Sequence, residues 1–274
     1  MVNPAPAETA APRAEGTASG FFPIAPEDLI AGLGRGLAVI ESFDDDHPRM
    51  SPAEVAARTS IPRTAARRHL LSLCHFGYAQ TDGRLFWLAP RVLRLGQSYL
   101  DAARLPRLVR PFIQRLSAAT GETVNVSVLD GHEVVYVARS NSPRLVSVGF
   151  QVGDRAPAHT VAAGVVLVAA IGDDAARARW IDGHEFSVFT AQGAGGRQAF
   201  LDAVALARER DHGLARQLLD IGFTGVAVAL KDRRGETQAA LGMTLPLQNW
   251  PEEEIAARLL PALRDTAQAL RPLL

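Results

Sequence analysis

From Leu33 onward apolar residues recur first at helical and then at alternating spacing, and the change of period divides the chain. Leu33, Leu37, Val39 and Ile40 mark an opening helix that ends near Asp44-Asp45-Asp46 and His47-Pro48. Ser51 is a good cap, with Pro52 at the first helical position and Glu54 three residues on, so a second helix starts there and breaks at Thr59-Ser60. Ile61-Pro62 opens a third, in which Ala66, Leu70, Leu73 and Cys74 recur three and four residues apart and face inward. Arg63, Thr64, Arg67 and Leu71 lie off that stripe. Next, Thr81-Asp82-Gly83 is a hairpin turn between two short runs of strand formers, with Arg84 beside it. Three helices and a hairpin predict a winged helix-turn-helix, whose third helix would enter the major groove. The plainer alternative is two amphipathic helices with a solvated arginine face.

From Pro90 to Thr120 the period is helical again, carried by Val92, Leu95, Tyr99 and Leu100 and then by Leu108, Phe112, Ile113 and Leu116. Pro106 and Pro111 divide this stretch, Asp101 to Pro106 reads as a joint, and Thr120-Gly121 is a helix stop. Beyond Gly121 the period becomes that of strands. Thr123 to Leu129 alternates strictly, Asp130-Gly131 turns, and Glu133 to Arg139 returns, with Arg144 to Phe150 as a third strand. Val161 to Ile171 is a buried helix announced by His159-Thr160, followed by helices at Asp174 to Ile181 and Arg197 to Asp211. Phe223 to Leu230 and Gln238 to Leu245 are strands around the turn Lys231 to Glu236, and Pro251 to Leu270 is a closing helix. The expected division is a disordered tail at 1–31, a DNA-binding domain at 32–90, a linker helix at 91–105 and an α/β domain at 106–274.

The net charge of the 274 residues is zero, but between Ile61 and Arg110 nine arginines face two acids, a balance that suits phosphate contact. Met1 to Pro26 lacks apolar periodicity and the basic start and apolar run of a secretory signal. The longest apolar run, Val161 to Ile171, is too short to span a bilayer at about 20 residues per crossing. Cys74 is the only cysteine, which excludes an intrachain disulfide and fits a reducing cytoplasm.

The two late strands have unequal faces. Val226, Val228, Leu230, Leu241, Met243 and Leu245 make one bulky, whereas Gly225, Ala227, Ala229, Ala240, Gly242 and Thr244 leave the other nearly bare. A bare face admits either a closely packed helix or a ligand. The helix start at Thr160 to Gly164 supplies free N–H groups and a positive dipole end for an anion. Arg139 would meet a ligand carboxylate, Asp154 or solvent. Asn125 and Ser127 are expected on the polar outer face of a half-buried strand rather than against ring hydroxyls. Catalysis has little support. The seven histidines show no metal spacing, no G-x-S-x-G elbow occurs, and Gly193 to Gly196 lacks a Walker lysine.

Taken together, LGRGLAVIESF, RTAARRHLLSLCHFGY, APRVLRLGQSYL, TGETVNVSVLDGHEVVYVAR, GDRAPAHTVAAG and LARQLLDIGFTGVAVALKDRRGE stand in an order that resembles the IclR family of bacterial transcription regulators. AARR and VYVAR are similar to its aromatic-acid-sensing (PcaU/PcaR/PobR-like) branch. The resemblance covers Gly32 to Leu274 and implies an α+β chain: an N-terminal winged helix-turn-helix domain, a linker helix and a C-terminal GAF/profilin-like α/β effector-binding domain. It implies a homodimer or homotetramer on double-stranded DNA at a pseudo-palindromic operator, with no cofactor and no membrane. Arg63, Thr64, Arg67 and Arg68 are the expected contacts to bases and phosphates, and Arg84 to the backbone near the wing; His69 departs from the bulky apolar residue usual in the family. Gly225, Gly242 and Thr244 align with pocket positions where other members carry cysteine or serine, which shifts the bare face toward a ligand and a larger cavity. With Arg139, His159, Thr160, Ala163, Gly164 and Phe223 they form the expected effector site, for a small carboxylic acid that is aromatic rather than aliphatic. Activation of an aromatic-compound catabolic operon is expected over repression, and a small-molecule enzyme or ligand-binding module with an appended helical domain is the alternative.

Overall fold

The computed structural model describes residues 24–141 and 149–274, which fall into two compact units meeting between Val92 and Leu93. The tail expected over residues 1–31 lies, as far as residue 23, outside the described residues.

In the first unit α1 (Ala31–Glu41), α2 (Pro52–Thr59) and α3 (Arg63–His75) precede a two-stranded ribbon, β1 (Ala79–Thr81) and β2 (Phe86–Leu88). The capping box forms as expected: Ser51 N donates to Glu54 Oε2 at 2.7 Å, and Glu54 N donates to Ser51 Oγ at 3.4 Å. Ser60, with φ at 55°, ends α2 in the left-handed region and starts the tight turn into α3. Val39, Met50, Val55, Ala66, Leu70 and Phe86 make the core. Met50 and Phe86 exchange backbone hydrogen bonds of 2.9 and 2.8 Å, which ties the ribbon to the loop before α2. His69 is half-buried beside Gly36 of α1, close to where a methyl group there would sit, so it packs across the helix pair in the place of a bulkier apolar residue.

The second unit begins with α4 (Leu93–Ala102) and α5 (Arg104–Thr120). The prolines do not divide this stretch as expected. Both Pro106 and Pro111 lie inside α5; the break is at Ala103, whose ψ of 125° is extended, within the joint expected at Asp101 to Pro106. Pro106 falls in the first turn of α5, where a missing N–H costs no helical bond.

Then come β3 (Val124–Asp130), β4 (Glu133–Ser140), β5 (Arg155–Pro157), α6 (Ala162–Ala169), α7 (Asp174–Asp182), α8 (Gly196–Arg210), β6 (Gly213–Arg216), β7 (Phe223–Lys231) and β8 (Thr237–Pro246). The last helical stretch runs on through α9 (Glu252–Glu254), a wider π-type turn at Ile255–Leu259 and α10 (Leu260–Leu270). The strands form one antiparallel sheet in the order β5-β4-β3-β8-β7-β6. Residues 144–148 of the expected third strand lie outside the described residues; the strand beside β4 is β5, three residues long. At the other edge is β6, four residues too short to show a period in the sequence. Strict alternation in β3 gives way to a bulge between Val126 and Ser127.

The bulky sheet face meets α5 and α10 through Val226, Val228, Leu230, Leu241, Leu245, Ile113 and Leu263, all at or near zero exposure. Each such side chain contributes about 1.5–3 kcal/mol on burial. The bare face meets α6, whose residues Ala162 to Val168 are all buried, because α8 covers its other side. That approach is set by glycines. On the sheet side, a Cβ on Gly213 of β6 would lie 2.7 Å from the Ala162 carbonyl oxygen; within the helix, a Cβ on Gly164 would lie 2.0 Å from the Ala158 carbonyl oxygen in the turn that leads into α6. Among the described residues no helix is long and apolar enough to cross a membrane.

Gly164→Ala tests this packing. Its added methyl has backbone for a neighbour, so the expected loss is at least about 1–3 kcal/mol in urea unfolding, against a helix-propensity gain of about 1 kcal/mol.

Candidate functional site

In the second unit, the part of the bare face that α6 leaves uncovered is a cavity, partly open to solvent. Its floor is Asn125 and Ser127 of β3, Phe223 and Gly225 of β7, and Gly242 and Thr244 of β8. The start of α6 makes one wall, with Thr160, Val161, Ala162 and Ala163; Gln217 to Asp220 make another. Phe150 lies over the floor, stacked on Tyr136 at 4.3 Å between ring centres and 11° between planes. Burial raises the Tyr136 phenol above its usual range, with the Asp154 charge a lesser cause, so that hydroxyl stays neutral.

The wall at α6 is suited to an anion. No side chain caps the helix, and the N–H groups of Ala162 and Ala163 precede the first intrahelical bonds, whose acceptor is Val161. Gly225 lets this terminus down onto the sheet, since a Cβ there would stand 3.3 Å from that of Ala162. The helix therefore covers one part of the bare face, and the cavity lies over the rest.

Of the residues expected at a ligand, Thr160, Ala163, Phe223, Gly225, Gly242 and Thr244 line this cavity, whereas Arg139, His159 and Gly164 do not. Arg139 donates from Nη1 to the carbonyls of Gly149, at 2.8 Å, and Phe150, and from Nε to Asn141 Oδ1 at 2.6 Å. It thus holds the segment that carries the Phe150 ring. Burial draws its guanidinium below the usual value, and Asp154 opposes this. Gly164 is packed on Ala158. Asn125 and Ser127 are not on an outer face: they are 3% and 1% exposed, because the β3–β8 pairing brings both onto the cavity floor beside Gly242 and Ala240.

His159 belongs to a different cluster, with His132, Trp180, His184, Phe186 and Phe200. Its Nε2 faces the Ser187 carbonyl oxygen at 2.8 Å and must donate, so its Nδ1 accepts from His184 Nε2 at 2.7 Å. His184 Nδ1 is left buried, without a proton or a partner. Burial, then the neighbouring His159 and His132, lowers the His184 pKa from 6.5 to about 4. Nothing in the spacing of the three histidines signals this cluster; α7 and the loop after it assemble it. Among the described residues no group of metal-ligating side chains converges.

In the first unit Arg63, Thr64, Arg67 and Arg68 are exposed along the first half of α3, and Arg84 is exposed at the ribbon tip. Among the described residues no ion pair engages these arginines. The tip is fixed by Asp82 Oδ1, which accepts from Arg84 N at 2.9 Å and Leu85 N at 2.8 Å, and Gly83 turns it with φ at 94°. Arg49, which the sequence did not single out, lies over the Trp87 ring at 4.1 Å and adds charge beside the ribbon.

Residues 97–271 match the family described as bacterial transcriptional regulator IclR C-terminal, and residues 32–83 match the IclR helix-turn-helix domain. The p-hydroxybenzoate hydroxylase transcriptional activator of Acinetobacter baylyi is 38% identical over 255 residues, 91% of this chain and 94% of that protein. The inducer-binding domain of the PobR transcription factor from Acinetobacter, solved as a double mutant with 3-hydroxybenzoic acid, is 32% identical with a TM-score of 0.59, over 63% of this chain and 100% of that one. An IclR family transcriptional regulator from Brucella abortus has the same fold over 89% of this chain and 93% of its own, with a TM-score of 0.77 at 19% identity.

The histidine cluster predicts a pH window. The unfolded chain takes up a proton near pH 6.5 while His184 stays neutral in the fold down to about 4, so stability falls as pH drops through that interval. Denaturant unfolding at pH 7, 6 and 5 should show a shallower fall for His184→Phe than for the wild type; equal slopes would mean that His184 is charged in the fold.

Proposed function

Because the chain belongs to the IclR family of bacterial transcriptional regulators, we propose that it regulates transcription of an aromatic-compound catabolic operon in response to a small aromatic carboxylic acid, as an activator. The observation that carries the ligand class is the cavity: a flat, small-residue floor suited to a ring, beside helix N–H groups suited to a carboxylate. A relative named as the activator of p-hydroxybenzoate hydroxylase, and an inducer-binding domain solved with 3-hydroxybenzoic acid, make hydroxybenzoates the first choice. A ligand can alter DNA affinity only by binding two arrangements of the protein unequally. The enzyme alternative falls with the family, whose members are regulators.

On DNA, we assign Arg63, Thr64, Arg67 and Arg68 to base edges and phosphates, and Arg84 to the backbone beside the wing. Exposed apolar side chains support a homodimer or homotetramer, whose two-fold symmetry would match a pseudo-palindromic operator. Leu33 and Leu37 of α1 are 62% and 44% exposed, and α4 buries none of its residues, Leu93 being 75% and Tyr99 50% exposed. Action in the bacterial cytoplasm follows from the same reading.

Thermal unfolding against a panel of aromatic and aliphatic acids should show an upward shift with a hydroxylated aromatic acid at concentrations above its Kd. No shift with any acid, from protein that still binds its operator, would sink the ligand class. For DNA, Arg67→Ala should cost about 1–3 kcal/mol on the operator and relax sequence preference, while Arg84→Ala should weaken specific and random DNA alike and lower the salt slope by about 1. Equal losses on both DNAs for Arg67→Ala would remove it from the bases.

A further inference from the structure

Asn125 lies on the cavity floor with its amide unspent. It is 3% exposed, its Oδ1 has no hydrogen-bond partner, and no bond from its nitrogen is found among the described residues. Turning the amide over exchanges its two ends, so the observation stands whichever end is oxygen: one donor edge and one acceptor edge are unused. A buried amide in that state is costly and calls for an explanation. Gly242 is its pairing partner on β8 and puts no side chain beside it, and Ser127 adds a buried hydroxyl two residues on.

The two ends of the cavity thus ask for different chemistry. The α6 terminus offers only donors, which suit a carboxylate. A carboxylate at Asn125 would accept from the amide nitrogen and leave the amide oxygen orphaned. A phenolic hydroxyl both donates and accepts, and so satisfies the two edges together. We infer that Asn125 reads the ring hydroxyl of the ligand and sets selectivity for hydroxylated over unsubstituted aromatic acids, with the ligand carboxylate at the start of α6. This rests on the aromatic-acid reading of the same cavity.

Calorimetric titration of the full chain with 3- and 4-hydroxybenzoate, the matching fluorobenzoates and benzoate tests it, fluorine being close to hydroxyl in size but no donor. The wild type should prefer the better hydroxybenzoate over its fluoro analogue by at least about tenfold, since a site built to bond a hydroxyl rejects the analogue that lacks it. Asn125→Leu should bring that ratio to within about twofold and leave the ligand-free melting temperature no lower, because an orphaned polar group gives way to an apolar one of like shape. Equal binding of hydroxy and fluoro acids by the wild type would overturn the inference, leaving water as the amide's partner, and that comparison decides even where the variant fails to fold. A variant that keeps the full preference would overturn it too. If no acid of the panel binds the wild type, the aromatic-acid reading falls and this inference with it, a result distinct from binding without discrimination.

Discussion

The second unit depends on how closely one short helix approaches one sheet face. The α6 segment is apolar all round and must be enclosed, with β7 and β8 below it and α8 above. Gly213 and Gly225 let the start of α6 down onto the sheet, and Gly164 fits the helix against the turn that precedes it. The same contact brings the helix terminus to the cavity edge, so the packing that stabilises the layer also aims the N–H groups. Where α6 ends the floor stays bare, and the cavity is the remainder of that packing rather than a separate construction.

The two candidate surfaces are built on opposite principles. Arginines on α3 and at the ribbon tip stand in water, held by backbone geometry such as the Asp82 turn, and their charges remain available. In the cavity the groups are buried and largely neutral: an amide, hydroxyls, a phenol held above its usual range and helix N–H dipoles. Long-range attraction serves a polyanion whose position must be found; desolvated, directional groups serve a small molecule whose shape must be judged.

Much of the fold was legible because its signals are local. The Ser51-Glu54 box, the Thr81-Asp82-Gly83 turn and the unequal faces of β7 and β8 each depend on residues a few positions apart, and each formed as the spacing dictates. Six of the nine effector residues named from sequence line one cavity. What was missed depends on distant partners. Asn125 reads as an outward polar residue until β8 is laid beside it, and the His159–His184 pair exists only because α7 and its following loop fold back. Pro106 looked like a divider, yet the first turn of a helix needs no proline N–H. The four residues of β6 carry too few positions for any period.

Among the described residues the two outermost strands of the six-stranded sheet, β5 and β6, are three and four residues long. Short edges offer a stranger few backbone groups to pair with, which guards a sheet against templating another chain into a growing ribbon. A regulator that is rebuilt each generation in a crowded cell gains from this even when it is idle, because copies still folding find little to add to.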